Sequence, residues 1–68
     1  MKLIVNGEPM DFAGPPTVSE VVGRVAPQRR KRGTAVAVNG EVVPRTKWDV
    51  TSLSHDDRLE VLDAIGGG

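Results

Sequence analysis

The tetrapeptide Val5-Asn6-Gly7-Glu8 occurs a second time as Val38-Asn39-Gly40-Glu41. Asn-Gly between β-branched residues is a strong hairpin signal, because a two-residue turn that follows strand twist needs positive φ at both central positions. Each copy folds a short apolar run back on itself. Lys2-Leu3-Ile4-Val5 returns through Met10-Asp11-Phe12, and Thr34-Ala35-Val36-Ala37-Val38 returns through Glu41-Val42-Val43. Pro9 has no N–H for a ladder and belongs in the first loop or at the start of its return strand, while Pro44 stops the second hairpin. Two copies are hairpin chemistry used twice, not a solenoid.

Between the hairpins, after the break at Gly14-Pro15-Pro16, the pattern changes to a helix over 17–26. Thr17-Val18-Ser19-Glu20 fits a capping box, in which Thr17 covers the Glu20 amide and Glu20 reaches back. Val18, Val21, Val22 and Val25 stand at i, i+3, i+4 and i+7 and form one apolar stripe. Gly23 and four β-branched valines are poor helix formers, so packing across a sheet must hold this segment. Pro27 ends it near Ala26. Beyond the second hairpin, Arg45-Thr46-Lys47-Trp48-Asp49 lacks a strand period and reads as a turn or a single helical turn, with Trp48 as a lid over the core edge. Ser54-His55-Asp56-Asp57 is a polar turn into the last strand, where Leu59, Val61 and Ile65 alternate with Glu60, Leu62 and Ala64.

Hairpin, helix, hairpin, turn and strand make a two-layer α+β domain, one helix on a four- to five-stranded sheet. The domain spans 1–65, followed by a flexible glycine tail, 66–68. No second helix exists to cover the opposite sheet face. On the last strand that open face carries Glu60, Leu62 and Ala64. Leu62 and Ala64, with Ile65 beside them, are the candidate partner-docking residues.

Sixty-eight residues with no cysteine exclude a disulfide staple and a thiolate metal site, and suit a reducing cytoplasm. Nine basic residues balance nine acidic ones, which argues against nucleic-acid or membrane-surface binding. The basic run Arg29-Arg30-Lys31-Arg32 is a solvated loop or a dock for an acidic partner or for phosphate. No apolar run reaches the length of a membrane span, and no signal peptide opens the chain. His55 has no second imidazole or thiol for a metal. Asp56 and Asp57 read as turn formers, and Ser52 and Ser54 have no third member of a triad. No lysine-bearing phosphate loop is present. The chain shows no catalytic constellation.

What remains is Gly66-Gly67-Gly68. Glycines bring no side-chain chemistry, but without Cβ they enter narrow clefts and adopt backbone angles closed to other residues. The reactive group at the tip is the Gly68 α-carboxylate. A carboxylate resists nucleophiles; joined to adenylate it becomes an acyl group with a good leaving group, and sulfide delivered there gives a thiocarboxylate. An outside ATP-using enzyme must supply that activation. A frayed end, or one left by cloning, is the other reading of the same three residues.

Leu3-Ile4-Val5-Asn6-Gly7-Glu8, Thr17-Val18, Ala35-Val36-Ala37-Val38-Asn39, Val43-Pro44-Arg45 with Trp48, and Asp57-Arg58-Leu59-Glu60-Val61-Leu62 ahead of the glycines together resemble the ThiS family. These are sulfur carriers of thiamine biosynthesis with the β-grasp (ubiquitin-like) fold. The order of elements read with this likeness implies a mixed four- to five-stranded sheet with the 17–26 helix on one face and the first and last strands adjacent. The likeness covers essentially the whole chain, and Val-Pro-Arg-x-x-Trp is its more specific part. It implies a carrier, not an enzyme. A ThiF-type adenylyltransferase acts on Gly68 with ATP and magnesium, so the chain itself binds no cofactor. Cysteine-derived sulfur from a desulfurase then makes the thiocarboxylate, and a ThiG-type thiazole synthase accepts it. On this likeness Gly66 and Gly67 are expected to be the part that enters the partner's active site. Gly66, a third glycine, and the Arg29–Arg32 run depart from the family pattern. Three alternatives use the same frame: a molybdopterin-type sulfur carrier, a ubiquitin-like modifier joined through Gly68, and a passive interaction module.

Overall fold

The computed structural model describes residues 1–25 and 34–63. Five strands and one helix follow in the order β1 (Lys2–Val5), β2 (Glu8–Asp11), α1 (Val18–Val25), β3 (Thr34–Val38), β4 (Glu41–Val43) and β5 (Arg58–Asp63), with a 3₁₀ turn at Arg45–Lys47 after β4. Both repeated tetrapeptides form the expected turns. Asn6 and Gly7 have φ of 52° and 84°, and Asn39 and Gly40 have φ of 51° and 86°. Positive φ at both central residues is the requirement that Asn-Gly meets at low cost. Pro9 is the second residue of β2, which lies at the sheet edge, where a missing N–H costs no ladder bond.

The sheet order is β2-β1-β5-β3-β4. β5 lies in the middle, parallel to β1 (Ile4 opposite Arg58, Val5 opposite Leu59) and antiparallel to β3 (Val38 opposite Leu59 through Thr34 opposite Asp63). This is the β-grasp arrangement. The two hairpins share no ladder of their own, so the last strand joins them.

α1 begins with the capping box read from the sequence. The Glu20 N–H donates to Thr17 Oγ1 at 3.2 Å, and the Thr17 N–H donates to Glu20 Oε1 at 2.8 Å. Two more first-turn amides find loop carbonyls, Val18 N–H at Thr51 O (3.0 Å) and Ser19 N–H at Trp48 O (3.2 Å). These bonds tie the 44–53 segment under the start of the helix and close that end of the core. Arg24 in the last turn donates to Asp11 O and sits 4.6 Å from the centre of the Phe12 ring, so it joins the helix to the end of β2. Ala26 and Pro27, where the helix was expected to stop, lie outside the described residues, as does the Arg29–Arg32 run.

The core consists of Leu3, Val5, Val18, Val21, Val22, Val36, Trp48, Leu53 and Leu59, with Val25 and Val61 packed at its margin. Trp48 differs from expectation: it is 3% exposed, a member of the core and not a lid over it. Its indole N–H donates to Val43 O at 2.9 Å, which satisfies the one polar atom of the ring and allows full burial. No helix among the described residues is long and apolar enough to cross a membrane.

Val21 and Val22 sit mid-stripe at 0% and 2% exposure. Either valine cut to alanine is expected to cost about 1–3 kcal/mol, a large share of the stability of so small a domain. Urea midpoints of both variants measure this; midpoints equal to that of the parent chain contradict burial of the stripe.

Candidate functional site

β5 leads directly to the C-terminal residues, so the groups that hold and flank it make the candidate site. Its alternation is the one expected from the sequence. Leu59 is 1% exposed and Val61 half-buried against the helix side, while Glu60 and Leu62 face outward, Leu62 at 60% exposure. Leu62 stands opposite Ala35, and Glu60 opposite Ala37, which in turn pairs with Val42 on β4. Directly opposed residues share a sheet face. The face away from α1 therefore presents Leu62, Ala35, Ala37 and the 71%-exposed Val42 around the charge of Glu60. An exposed apolar cluster broken by charge is a surface suited to a partner.

The main-chain edges of β5 are occupied unevenly. On the β3 side the antiparallel register runs through to Asp63. Opposite, β1 stops at Val5, and the last main-chain bond is Asn6 N–H to Leu59 O at 2.9 Å. The Asn6 side chain takes over there. Its Oδ1 accepts from Val61 N–H at 2.8 Å, and its Nδ2 donates to Val61 O at 3.2 Å. One carboxamide thus makes the two bonds that a longer β1 would have made. Asn39, the matching residue of the other turn, does similar work at the start of β5. Its Oδ1 accepts from Arg58 N–H at 3.0 Å, its Nδ2 donates to Asp57 Oδ1 at 3.0 Å, and its own N–H donates to Arg58 O at 2.7 Å.

Both asparagines read from the sequence only as turn formers; their grip on β5 is a tertiary contact. The one signal pointing to it is the choice of Asn at both first turn positions, since glycine meets the φ requirement without offering a carboxamide.

The acidic turn before β5 uses its side chains locally. Asp57 Oδ2 accepts from Ser54 N–H at 2.8 Å, and Asp56, at φ 70°, lies 3.7 Å from Lys2 Nζ. His55 Nδ1 accepts from Lys2 N–H at 3.2 Å and its Nε2 is 3.6 Å from Asp56. These groups close the turn against the start of β1 and converge on no common point where a substrate atom can sit. Among the described residues no three His, Cys, Asp or Glu side chains group as metal ligands. Of the residues expected to act, Leu62 is placed as read. Ala64, Ile65, Gly66, Gly67 and Gly68 lie outside the described residues.

Comparison with known proteins agrees with this geometry. The model of the ThiS family matches residues 3–68. The whole chain is 29% identical to the full length of the sulfur carrier protein ThiS of Escherichia coli (strain K12). It is 37% identical to part of a thiazole synthase from Paramagnetospirillum magneticum; there the chain spans only a fifth of the relative's length. The crystal structure of a thiamine biosynthesis protein (ThiS) from Geobacter metallireducens superposes with a TM-score of 0.81 at 33% identity, each chain covered completely.

Proposed function

Because this chain belongs to the ThiS family, we propose that it is a sulfur carrier of thiamine biosynthesis whose working group is the Gly68 carboxylate. The observation that carries this reading is the extent of the likeness: the family match runs through residue 68, so the terminal glycines fall inside it. β5 supports the same reading, since a central strand gives the glycines beyond it a firmly held base.

The chemistry follows from a carboxylate with no catalytic side chain beside it. A ThiF-type enzyme, using ATP and magnesium, lets a Gly68 carboxylate oxygen attack the α-phosphorus and displace pyrophosphate. The outer sulfur of a persulfide, drawn from cysteine by a desulfurase, then attacks the acyl carbon and displaces AMP. A thiol reductant cleaves the S–S bond of the acyl disulfide so formed and leaves the sulfur on Gly68. The resulting thiocarboxylate is a soft nucleophile for a ThiG-type thiazole synthase. Likeness to one stretch of a longer thiazole synthase supports that last partner, since a carrier sequence joined to its acceptor serves the same transfer within one chain. Gly66 and Gly67 pass the narrow approach to the nucleotide, where a Cβ has no room. Intact-mass spectrometry after incubation with ThiF-type enzyme, ATP, magnesium and a sulfur donor is the test. The expected result is replacement of one oxygen by sulfur at the C-terminal residue; no such replacement, under conditions that load an established carrier, overturns the reading.

Leu62 supplies the docking half of the proposal, together with Ala64 and Ile65. Leu62→Lys is expected to change folding stability by no more than about 0.5 kcal/mol, because the side chain is already exposed. It is expected to raise the KM of the activating enzyme for the carrier about tenfold or more, since an unpaired charge is then buried in the complex. Unchanged adenylation kinetics remove this face from the proposal.

A further inference from the structure

We propose that Asn6 is a positioning residue, whose carboxamide clamps β5 at Val61 and fixes the direction in which the chain leaves the sheet toward its reactive end. This inference rests on the sulfur-carrier reading above. Three observations lead to it. β1 ends two positions short of covering the β5 edge at Val61, and the Asn6 side chain supplies both missing bonds, at 2.8 and 3.2 Å. The clamp sits on the side where no main-chain ladder continues, while β3 pairs with the other edge through Asp63. Without it, the end of β5 is a strand bonded along one edge only. Finally, Asn39 has the same turn sequence and the same φ, yet grips the opposite end of β5, at Arg58. The repeated tetrapeptide therefore fastens the last strand at entry and at exit, and only the exit clamp borders the functional end.

A carrier whose tail must enter a partner's cleft is bound more tightly when the base of the tail is already ordered, because less freedom is lost on entry. Once the tail is seated, the reacting atoms are the same with or without the clamp. Loss of Asn6 is thus expected to appear in KM and not in kcat.

Asn6→Gly isolates the carboxamide, since glycine accepts a φ of 52° without strain. Asn6→Asp keeps the acceptor for Val61 N–H and loses the donor to Val61 O. Asn39→Gly is the control, removing an equivalent pair of side-chain bonds from the far end of the same strand. Three readouts are taken on the full chain: amide exchange at Val61, ¹⁵N relaxation at Leu62 and Asp63, and KM and kcat for sulfur loading by a ThiF-type enzyme.

The expected result is Val61 exchange faster by about tenfold in Asn6→Gly, the size of one lost hydrogen bond, and order parameters lowered at Leu62 and Asp63. KM is expected to rise about three- to tenfold with kcat within about twofold. Asn6→Asp is expected to fall between, and Asn39→Gly to lose comparable stability with the parental KM. Val61 exchange unchanged in Asn6→Gly overturns the clamp. Equal KM values for Asn6→Gly and Asn39→Gly overturn the positioning role and reduce the contact to ordinary turn stability. If the parent chain takes up no sulfur at all, the carrier reading is what fails, and exchange and relaxation still decide whether Asn6 orders the end of β5.

Discussion

Deletion of Gly67 and Gly68 is expected to leave the urea midpoint unchanged and to abolish ATP-dependent sulfur loading. The two halves of this result have separate causes. Glycine brings no apolar side chain to bury, so its removal takes no hydrophobic contribution from the fold. The truncated chain still ends in a carboxylate, but two residues short of the reach that, under the proposed function, puts an acyl carbon at the nucleotide. Gly67→Val tests the approach and not the reach. The Gly68 carboxylate stays in place, while under the proposed function a β-branched side chain would have to enter a passage fitted to bare backbone. Mass spectrometry after incubation with the activating enzyme is expected to show sulfur on the parent chain and little or none on either variant. Equal loading of parent and truncated chains excludes Gly68 as the acceptor.

The largest stability effect is expected at Trp48. Trp48→Ala removes the bulkiest core side chain and strips Val43 O of its indole donor, at an expected cost of about 3–5 kcal/mol. That approaches the whole stability available to a domain of this length. Trp48→Phe separates the contributions: most of the ring volume remains, the N–H is lost, and the cost is expected to fall to about 1–3 kcal/mol. Equilibrium urea unfolding followed by circular dichroism distinguishes the two. A Trp48→Ala chain with the parental midpoint contradicts the core position of the indole.

The parts of this molecule legible in its sequence are those decided within a few residues. Both Asn-Gly turns, the Thr17–Glu20 capping box, the valine stripe of α1 and the two-residue period that separates Leu59 from Leu62 depend on neighbours along the chain, and each stands where it was read. The placement of β5 between β1 and β3 was expected only for its contact with β1, from the order of elements read with the family likeness. No local pattern distinguishes a central strand from an edge strand when one face is open. The depth of Trp48 was missed because it depends on how the segment after β4 packs beneath α1, where Ser19 N–H bonds Trp48 O and the indole joins the core. The asparagine clamps were missed for a similar reason, since Asn6 and Val61 stand 55 positions apart. Of the candidate site, Leu62 was legible in its exposure; Ala64 through Gly68 rest on sequence and likeness alone.

The central position of β5 has a mechanical consequence. A force applied at Asp63 along the strand axis acts on a strand bonded to β1 and Asn6 on one edge and to β3 on the other. Those bonds lie across the direction of pull and bear the load together, in shear. An edge strand pulled away sideways surrenders its bonds one after another, at far lower force. The body can therefore bear a pull on the end of β5, of the kind the proposed carrier role would impose, without the sheet unzipping from the loaded end.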